Sequence, residues 1–425
     1  MKFNSARPGL CYRKGKLTVI SAVVLLAAFA FIHEAVYFPF REYFTDFSIY
    51  YASARAAAHG LNPFERQAVA AELVRLGIST GLNEYLYPSP FLVFLQPLLV
   101  FSLPVAHKIF LSVSYLALGG SVFLLWRTFK KEAGSLLPIS YLIIVTLLFT
   151  PIWSNMVINQ ANILVLFFLC ACLYSTVHRH DAVAGASLGL ATMVKLTPVL
   201  LFAYFLVRKQ WLALLGGLAT ILSLEIISWA YFGKLLDLHL PGALLSHSAR
   251  ELHYWVNMAI PALLARATGL PGTGVLKACE FFLAAGIGTP TVYFLRKYRR
   301  AKKSESLLLF GLLITDFLIM QTILFTHHLV VLLIPFLLVL LFLTQPQVDH
   351  VTGGRKLMLT LTAISFMLVE VDYWRVWNFF DMESWGWWAH PGSWGLVMLW
   401  FLQLLALADQ KSSGQFDGTE PKLLD

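Results

Sequence analysis

Long apolar runs recur along this chain, separated by short polar hinges and three longer polar segments, and the pattern predicts membrane helices. The runs lie at 17–38, 105–127, 136–153, 161–177, 182–194, 196–207, 211–231, 272–295, 305–323, 328–344, 356–371 and 392–408. Most approach the roughly 17–25 apolar residues that a helix needs to cross about 30 Å of hydrocarbon. The residue-by-residue alternation of a transmembrane barrel is absent, and an open sheet would leave its backbone unsatisfied in lipid. The fold class is therefore all-α integral membrane: a polytopic bundle of about twelve transmembrane helices, one domain over 1–408, with a short disordered tail at 409–425. Two features bend the pattern. Residues 182–194 and 196–207 are each short for a crossing, which leaves open a single long kinked helix. Residues 90–101, bracketed by Pro88, Pro97 and Pro104, read as a juxtamembrane helix.

Composition agrees with the pattern: 58% hydrophobic residues, 13% charged and a mean hydropathy of +0.70. The net charge of +9 is not a nucleic-acid footprint, because the cations cluster beside apolar ends. Arg127 to Lys131, Arg179, Arg208-Lys209, Arg296 to Lys303 and Arg355-Lys356 all fall on one side if the amino terminus is cytoplasmic, as the positive-inside rule requires. Both termini are then cytoplasmic, and segments 39–104, 232–271 and 372–391 become external loops. The first run follows Arg13, Lys14 and Lys16 like a signal peptide, but no convincing cleavage site follows and a retained helix is the reading adopted. Cys11, Cys170, Cys172 and Cys279 form neither a disulfide framework nor a zinc spacing.

Loop 39–104 is long enough to be functional. Thr45 is placed to cap a helix from Asp46 to His59, ended by Gly60 and Asn62-Pro63, and a second amphipathic helix runs from Glu65 to Leu76 with Glu72 and Arg75 three apart. Both would lie on the membrane surface. Asp46 stands out: the helix dipole favours its carboxylate, while burial under Phe44, Phe47 and Tyr50 would oppose ionisation and keep it basic. A plain N-terminal helix acid accounts for it as well. Lys195, Glu225 and Asp316 are costly charges within apolar surroundings. Lys195 either serves chemistry or snorkels to the interface, Glu225 has no evident partner, and Asp316 is expected to pair structurally.

Four motifs follow one another in a familiar order. They are Asp46-x3-Tyr50-Tyr51-x3-Arg55 with Gly60-Leu61-Asn62-Pro63-Phe64 and Tyr85-Leu86-Tyr87-Pro88-Ser89-Pro90; Asn159-Gln160-Ala161-Asn162; Ala184-Gly185-x3-Gly189-Leu190-x4-Lys195-Leu196-x-Pro198; and Thr326-His327-His328. Together they resemble glycosyltransferase family 87, the polyprenol-phosphate-mannose-dependent mannosyltransferases of the GT-C superfamily. Asn159 stands where that family usually has Gly.

The resemblance implies a GT-C type bundle and an inverting glycosyltransferase that moves a hexose, mannose by default, from a polyprenyl-phosphate donor to a glycolipid or glycan acceptor on the non-cytoplasmic face of a plasma membrane. It carries a general-base role to Asp46 and substrate contacts to Tyr50, Arg55, Tyr87, Gln160 and Asn162. Departing polyprenyl phosphate needs fixed cations, for which Lys195 and Arg250 are the candidates. Pairing of Arg250 with Glu251 or Asp237 is the plainer expectation. One of His327 and His328 is expected to face the site, since neighbours on a helix point about 100° apart. No metal or other cofactor is expected. Trp374 and Trp385 belong to a Trp-dense loop that reads as an interfacial belt or, secondarily, an acceptor platform. The competing reading is a lipid or lipid-linked-saccharide transporter, for which short broken helices and a midplane Glu225 are the signature.

Overall fold

A computed structural model describes residues 25–26, 28–41, 46–78, 84–130, 139–269, 272–299, 303–343, 354–371 and 390–409. Most of these residues are helical, with no strand among them. Helix α1 (28–31) runs through a π-helical turn, Ile32–Tyr37, into α2 (Phe38–Arg41). The segment expected to be an amphipathic loop carries α3 (Asp46–Ala58), α4 (Arg66–Arg75) and α5 (Ser89–Leu95), the last running on as a 3-10 turn, Gln96–Val100. Then follow α6 (Leu103–Phe129), α7 (Ile139–Leu148), α8 (Thr150–Ile158), α9 (Asn162–Val177), α10 (Asp181–Val194), α11 (Phe202–Val207) and α12 (Trp211–Phe232). The carboxyl half adds α13 (Leu240–Glu251), α14 (Ile260–Thr268), α15 (Gly272–Lys297), α16 (Lys303–Ile319), α17 (Leu333–Leu343), α18 (Gly354–Val369) and α19 (Pro391–Asp409).

Among the described residues, five helices are long and apolar enough to cross a membrane: Leu103–Phe129, Trp211–Phe232, Lys277–Lys297, Thr326–Leu343 and Pro391–Asp409. Six shorter apolar helices accompany them. On α12 the outward stripe is Leu215, Leu218, Leu222, Ile226 and Trp229, each at least half exposed. Residues spaced three or four apart share a helix face, and an apolar face left open in this way suits lipid rather than water. Helix α17 is the opposite case, with nearly every side chain buried inside the bundle.

One sequence expectation changes and one open question is decided. The run 136–153 is not one helix: it breaks at Phe149, which is extended (φ −72°, ψ 98°), and α8 restarts with Pro151 in its first turn. Proline lacks the N–H that a continuous helix would need there and is tolerated in a helix's first turn. The two spans read at 182–194 and 196–207 are separate, and the alternative of a single kinked helix does not form. Lys195 is fully extended (φ −150°, ψ 130°), and a 3-10 turn, Thr197–Leu201, leads into α11.

The Gly-rich motif works in packing. A Cβ at Gly185 would lie 1.7 Å from the backbone oxygen of Ala213 in α12, and one at Gly216 would lie 2.4 Å from the oxygen of Ala182. Helices α10 and α12 therefore touch backbone to backbone, the close approach that small residues permit in lipid. That contact fixes the end of α10, and with it Lys195. At the other end of the bundle, basic helix ends meet: Arg208 donates to the carbonyl of Tyr298 (3.4 Å), whose hydroxyl donates to that of Leu407 (2.5 Å).

Thr45, Trp374, Trp385, Cys11 and the tail beyond Asp409 lie outside the described residues. Cys170 and Cys172 are free and buried, and Cys279 is free. Asp316 pairs structurally as expected, accepting hydrogen bonds from Thr291 Oγ1 (2.9 Å) and Trp400 Nε1 (2.8 Å). Glu225 faces Asp237, which in turn accepts from the backbone N–H of Ser89 (2.6 Å).

Candidate active site

A cavity of about 1310 Å³ opens between the α3 and α4 segment, the Tyr85–Tyr87 stretch, the end of α8, the Lys195 break, α13 and the His327-His328 turn. Asp46, at the first turn of α3, lines it together with Tyr50, Tyr87, Gln160, Lys195, Arg250, His327 and His328. Asn162 stands behind Gln160 and Lys195. Arg55 is not among the lining residues. It points along α3 toward α4, where its Nε donates to Glu72 (3.1 Å) beside Arg75 and His59, and so ties the two helices together.

The centre is one hydrogen-bonded chain. Lys195 Nζ donates to Asn162 Oδ1 (2.8 Å), Asn162 Nδ2 donates to Gln160 Oε1 (2.6 Å), and Gln160 Nε2 donates to Asp46 Oδ2. Asn155 braces it, accepting from Asn162 Nδ2 (3.1 Å) and donating to the carbonyl of Gln160 (2.9 Å). Two amides thus hold a carboxylate and an ammonium apart instead of letting them close into a contact ion pair. Burial pushes the Asp46 carboxyl above the usual carboxylate range, and the Gln160 hydrogen bond and the Lys195 charge draw it partly back. An ionised but basic carboxylate in a cavity suits proton abstraction. Tyr50 donates its hydroxyl to that of Tyr87 (2.7 Å), joining α3 to the Tyr-Pro stretch directly beside Asp46.

The turn carrying Gln160 depends on Asn159, which ends α8 in the left-handed region (φ 53°, ψ 50°). Among non-glycine residues Asn visits this region most readily. Its Nδ2 donates to the carbonyl of His107 (3.1 Å) and to His107 Nδ1 (3.2 Å), while His107 Nε2 donates to the carbonyl of Pro39 (2.9 Å). The His107 ring also meets Phe47 edge-on at 5.7 Å. One imidazole therefore touches the residue after Asp46 and the residue before Gln160. The sequence reading missed His107; its signal was a lone ionisable side chain in the apolar face of α6.

Both histidines line the cavity, where one was expected. They begin a 3-10 segment, Thr326–Leu332, at the mouth of the span, where the cavity wraps the helix end; their rings lie edge to face at 4.5 Å. His328 Nδ1 accepts from the backbone N–H of Phe325 (3.4 Å), whereas His327 Nε2 is buried without a hydrogen-bond partner among the described residues. A buried polar atom of this kind is usually satisfied by water or by a bound group, and this one faces the cavity.

Arg250 pairs with Glu84, not with Glu251 or Asp237. Glu84 also faces His247 Nδ1 (3.7 Å), and Arg66 and Glu251 line the same end of the cavity. Burial, with the charges of Arg250 and Arg66, pushes the His247 imidazole down to about 4. His247, Arg250 and Glu251 share α13, but Glu84 and Arg66 were not foreseen as their neighbours, because they come from the first loop more than 150 positions away in the chain. Among the described residues no group of three or more His, Cys, Asp or Glu has the arrangement of a metal site.

The family model described as Glycosyltransferase family 87 matches residues 85–321, more than half of the chain. The chain belongs to glycosyltransferase family 87. No individually curated protein matches it. The family 87 match contains Tyr87, Gln160, Asn162, Lys195 and Arg250. Asp46, Tyr50, Arg55, His327 and His328 lie beyond its ends, so Asp46 and the histidines are joined to the family 87 segment by the cavity itself.

Proposed function

We propose that this family 87 protein moves a hexose, mannose by family resemblance, from a polyprenyl-phosphate donor to a glycolipid or glycan acceptor, inverting the anomeric centre. The observation that carries the reading is the Asp46–Gln160–Asn162–Lys195 chain inside one cavity with an unpartnered His327 nitrogen. Asp46 takes the proton of the acceptor hydroxyl. The acceptor oxygen then bonds to the anomeric carbon as the bond from that carbon to the donor phosphate oxygen breaks, and the electron pair leaves with polyprenyl phosphate. Lys195 supplies positive charge to the departing phosphate, and His327 Nε2, in the tautomer that carries its proton there, supplies a donor; fixed donors of this kind cost no reorganisation during the reaction. Gln160 and Asn162 orient the base and offer hydrogen bonds to sugar hydroxyls. Arg55 is left as a structural tie.

The same reading puts about twelve crossings in a plasma membrane, both termini in the cytoplasm and the cavity on the outer face. Nucleotide sugars are cytoplasmic, so an outward site needs a sugar delivered through the bilayer, and a lipid phosphate provides that. The apolar cavity wall, including Leu196, Val199, Leu200 and Phe317, suits the lipid.

The test is to incubate purified protein with labelled polyprenyl-phosphate mannose and a lipid extract and identify the labelled product. Asp46→Asn is expected to lower turnover by orders of magnitude while donor still binds. Direct use of a nucleotide sugar by the purified protein would overturn the donor assignment.

A further inference from the structure

The cavity has two polar ends, and the proposed reaction uses only one. At about 1310 Å³ it exceeds the roughly 300–1,000 Å³ of ordinary ligand pockets. The second end is built by Arg66, Glu84, His247, Arg250 and Glu251. They interact as a group: Arg250 is closed onto Glu84, His247 Nδ1 stands 3.7 Å from the same carboxylate, and Glu251 feels Arg250, Glu84 and Arg66. Two guanidinium charges are thus balanced by two carboxylates, and the imidazole between them is neutral near pH 7.

This balance separates the two ends chemically. A departing phosphate calls for positive charge not closed into a contact ion pair, and Lys195, which acts on Asp46 only across two amides, provides it. Arg250 does not, because Glu84 answers its charge; a phosphate there would have to approach Glu84 and Glu251 as well. A cluster of paired carboxylates and guanidiniums presents alternating acceptors and donors at close spacing. Vicinal hydroxyls, which both accept and donate, match that pattern, and the Tyr254 ring beside them in the wall offers a face for a sugar ring.

We infer that this charge-balanced end is the acceptor subsite and that it takes an uncharged saccharide, with the hydroxyl to be glycosylated directed toward Asp46. The inference rests on the proposed transfer reaction and narrows its acceptor class. An anionic acceptor group, such as a sugar phosphate, finds no net positive charge there to offset the loss of its hydration.

The test uses the full-length protein in detergent with labelled polyprenyl-phosphate mannose and two acceptors sharing one tail: octyl mannoside and the same glycoside bearing a 6-phosphate. The neutral acceptor is expected to show at least a tenfold lower KM. Glu251→Gln should raise that KM at least tenfold while moving the donor KM less than twofold. Arg250→Gln strands a buried carboxylate, so the double variant Glu84→Gln/Arg250→Gln, which removes both charges together, is measured beside it and should behave like Glu251→Gln. Equal or better use of the phosphorylated acceptor would overturn the inference, as would variants that shift the donor KM instead of the acceptor KM. If wild-type protein consumed no donor with either acceptor or with a lipid extract, the transfer reaction itself would fall, and the acceptor assignment with it.

Discussion

Replacing Asn159 tests the turn on which the site depends. The residue is left-handed, and its side chain makes two hydrogen bonds to His107. Losing two buried hydrogen bonds costs about 1–3 kcal/mol in total, and forcing an ordinary L residue into this backbone region costs about 1–2 kcal/mol more. Asn159→Ala incurs both terms, about 2–5 kcal/mol, while Asn159→Gly incurs only the first because glycine adopts the conformation freely. The order is therefore wild type, then Gly, then Ala, with a gap of about 1–2 kcal/mol between the variants. Cys170 and Cys172 are fully buried, so a thiol-reactive fluorophore reports thermal unfolding in detergent once Cys11 and Cys279 are replaced by Ser. Sugar transfer should follow the same order, since Gln160 is the next residue and holds Asp46. Alanine as stable as glycine would refute a left-handed Asn159 and the account of the turn with it.

Three further outcomes are expected. Asp46→Asn should lower the transfer rate by about 10²–10⁴-fold, the usual contribution of a general base; because burial raises the Asp46 carboxyl, the acid limb of the wild-type rate profile should lie above the ~3.9 of an ordinary aspartate, and Gln160→Leu, which removes a hydrogen bond that favours the charged form, should move it higher still. Gly185→Ala sets a methyl group 1.7 Å from a backbone oxygen, which no rotamer relieves, so α10 and α12 must part; the expected loss is at least ~1–3 kcal/mol with a broadened elution profile, and unchanged thermal stability would disprove the backbone contact. His327→Ala should lower kcat about 10²–10³-fold, as loss of a preorganised donor does, with His327→Gln recovering part of it through an amide N–H; equal rates for the two variants would deny the imidazole that role.

Much of the fold could be read in the chain. The runs read at 105–127, 161–177, 182–194 and 211–231 correspond to α6, α9, α10 and α12 within a few residues, because hydropathy acts along a single helix, with Pro104 marking the start of α6 and Gly233 the end of α12. The first long loop also yielded α3 and α4 close to their observed bounds. The site was legible as residue types: Asp46, Gln160, Asn162, Lys195 and the histidine pair all meet in or beside one cavity. Partners were not legible. Arg250 was matched with nearby acids and found Glu84, 166 residues away; Arg55 was read as a substrate contact and found Glu72.

By itself, then, the sequence determined the apolar helical class, many of the helix boundaries, the family resemblance and the short set of polar residues too costly to sit in apolar surroundings without a purpose. The tertiary structure alone decided which of them meet: Asp46 with Gln160 across 114 positions, Asn159 with His107, and two charged ends in one cavity. The reason is physical. Apolar helices are nearly equivalent to one another by hydropathy, so their lateral arrangement follows from close contacts such as Gly185 on Ala213, which no pattern along a single helix specifies.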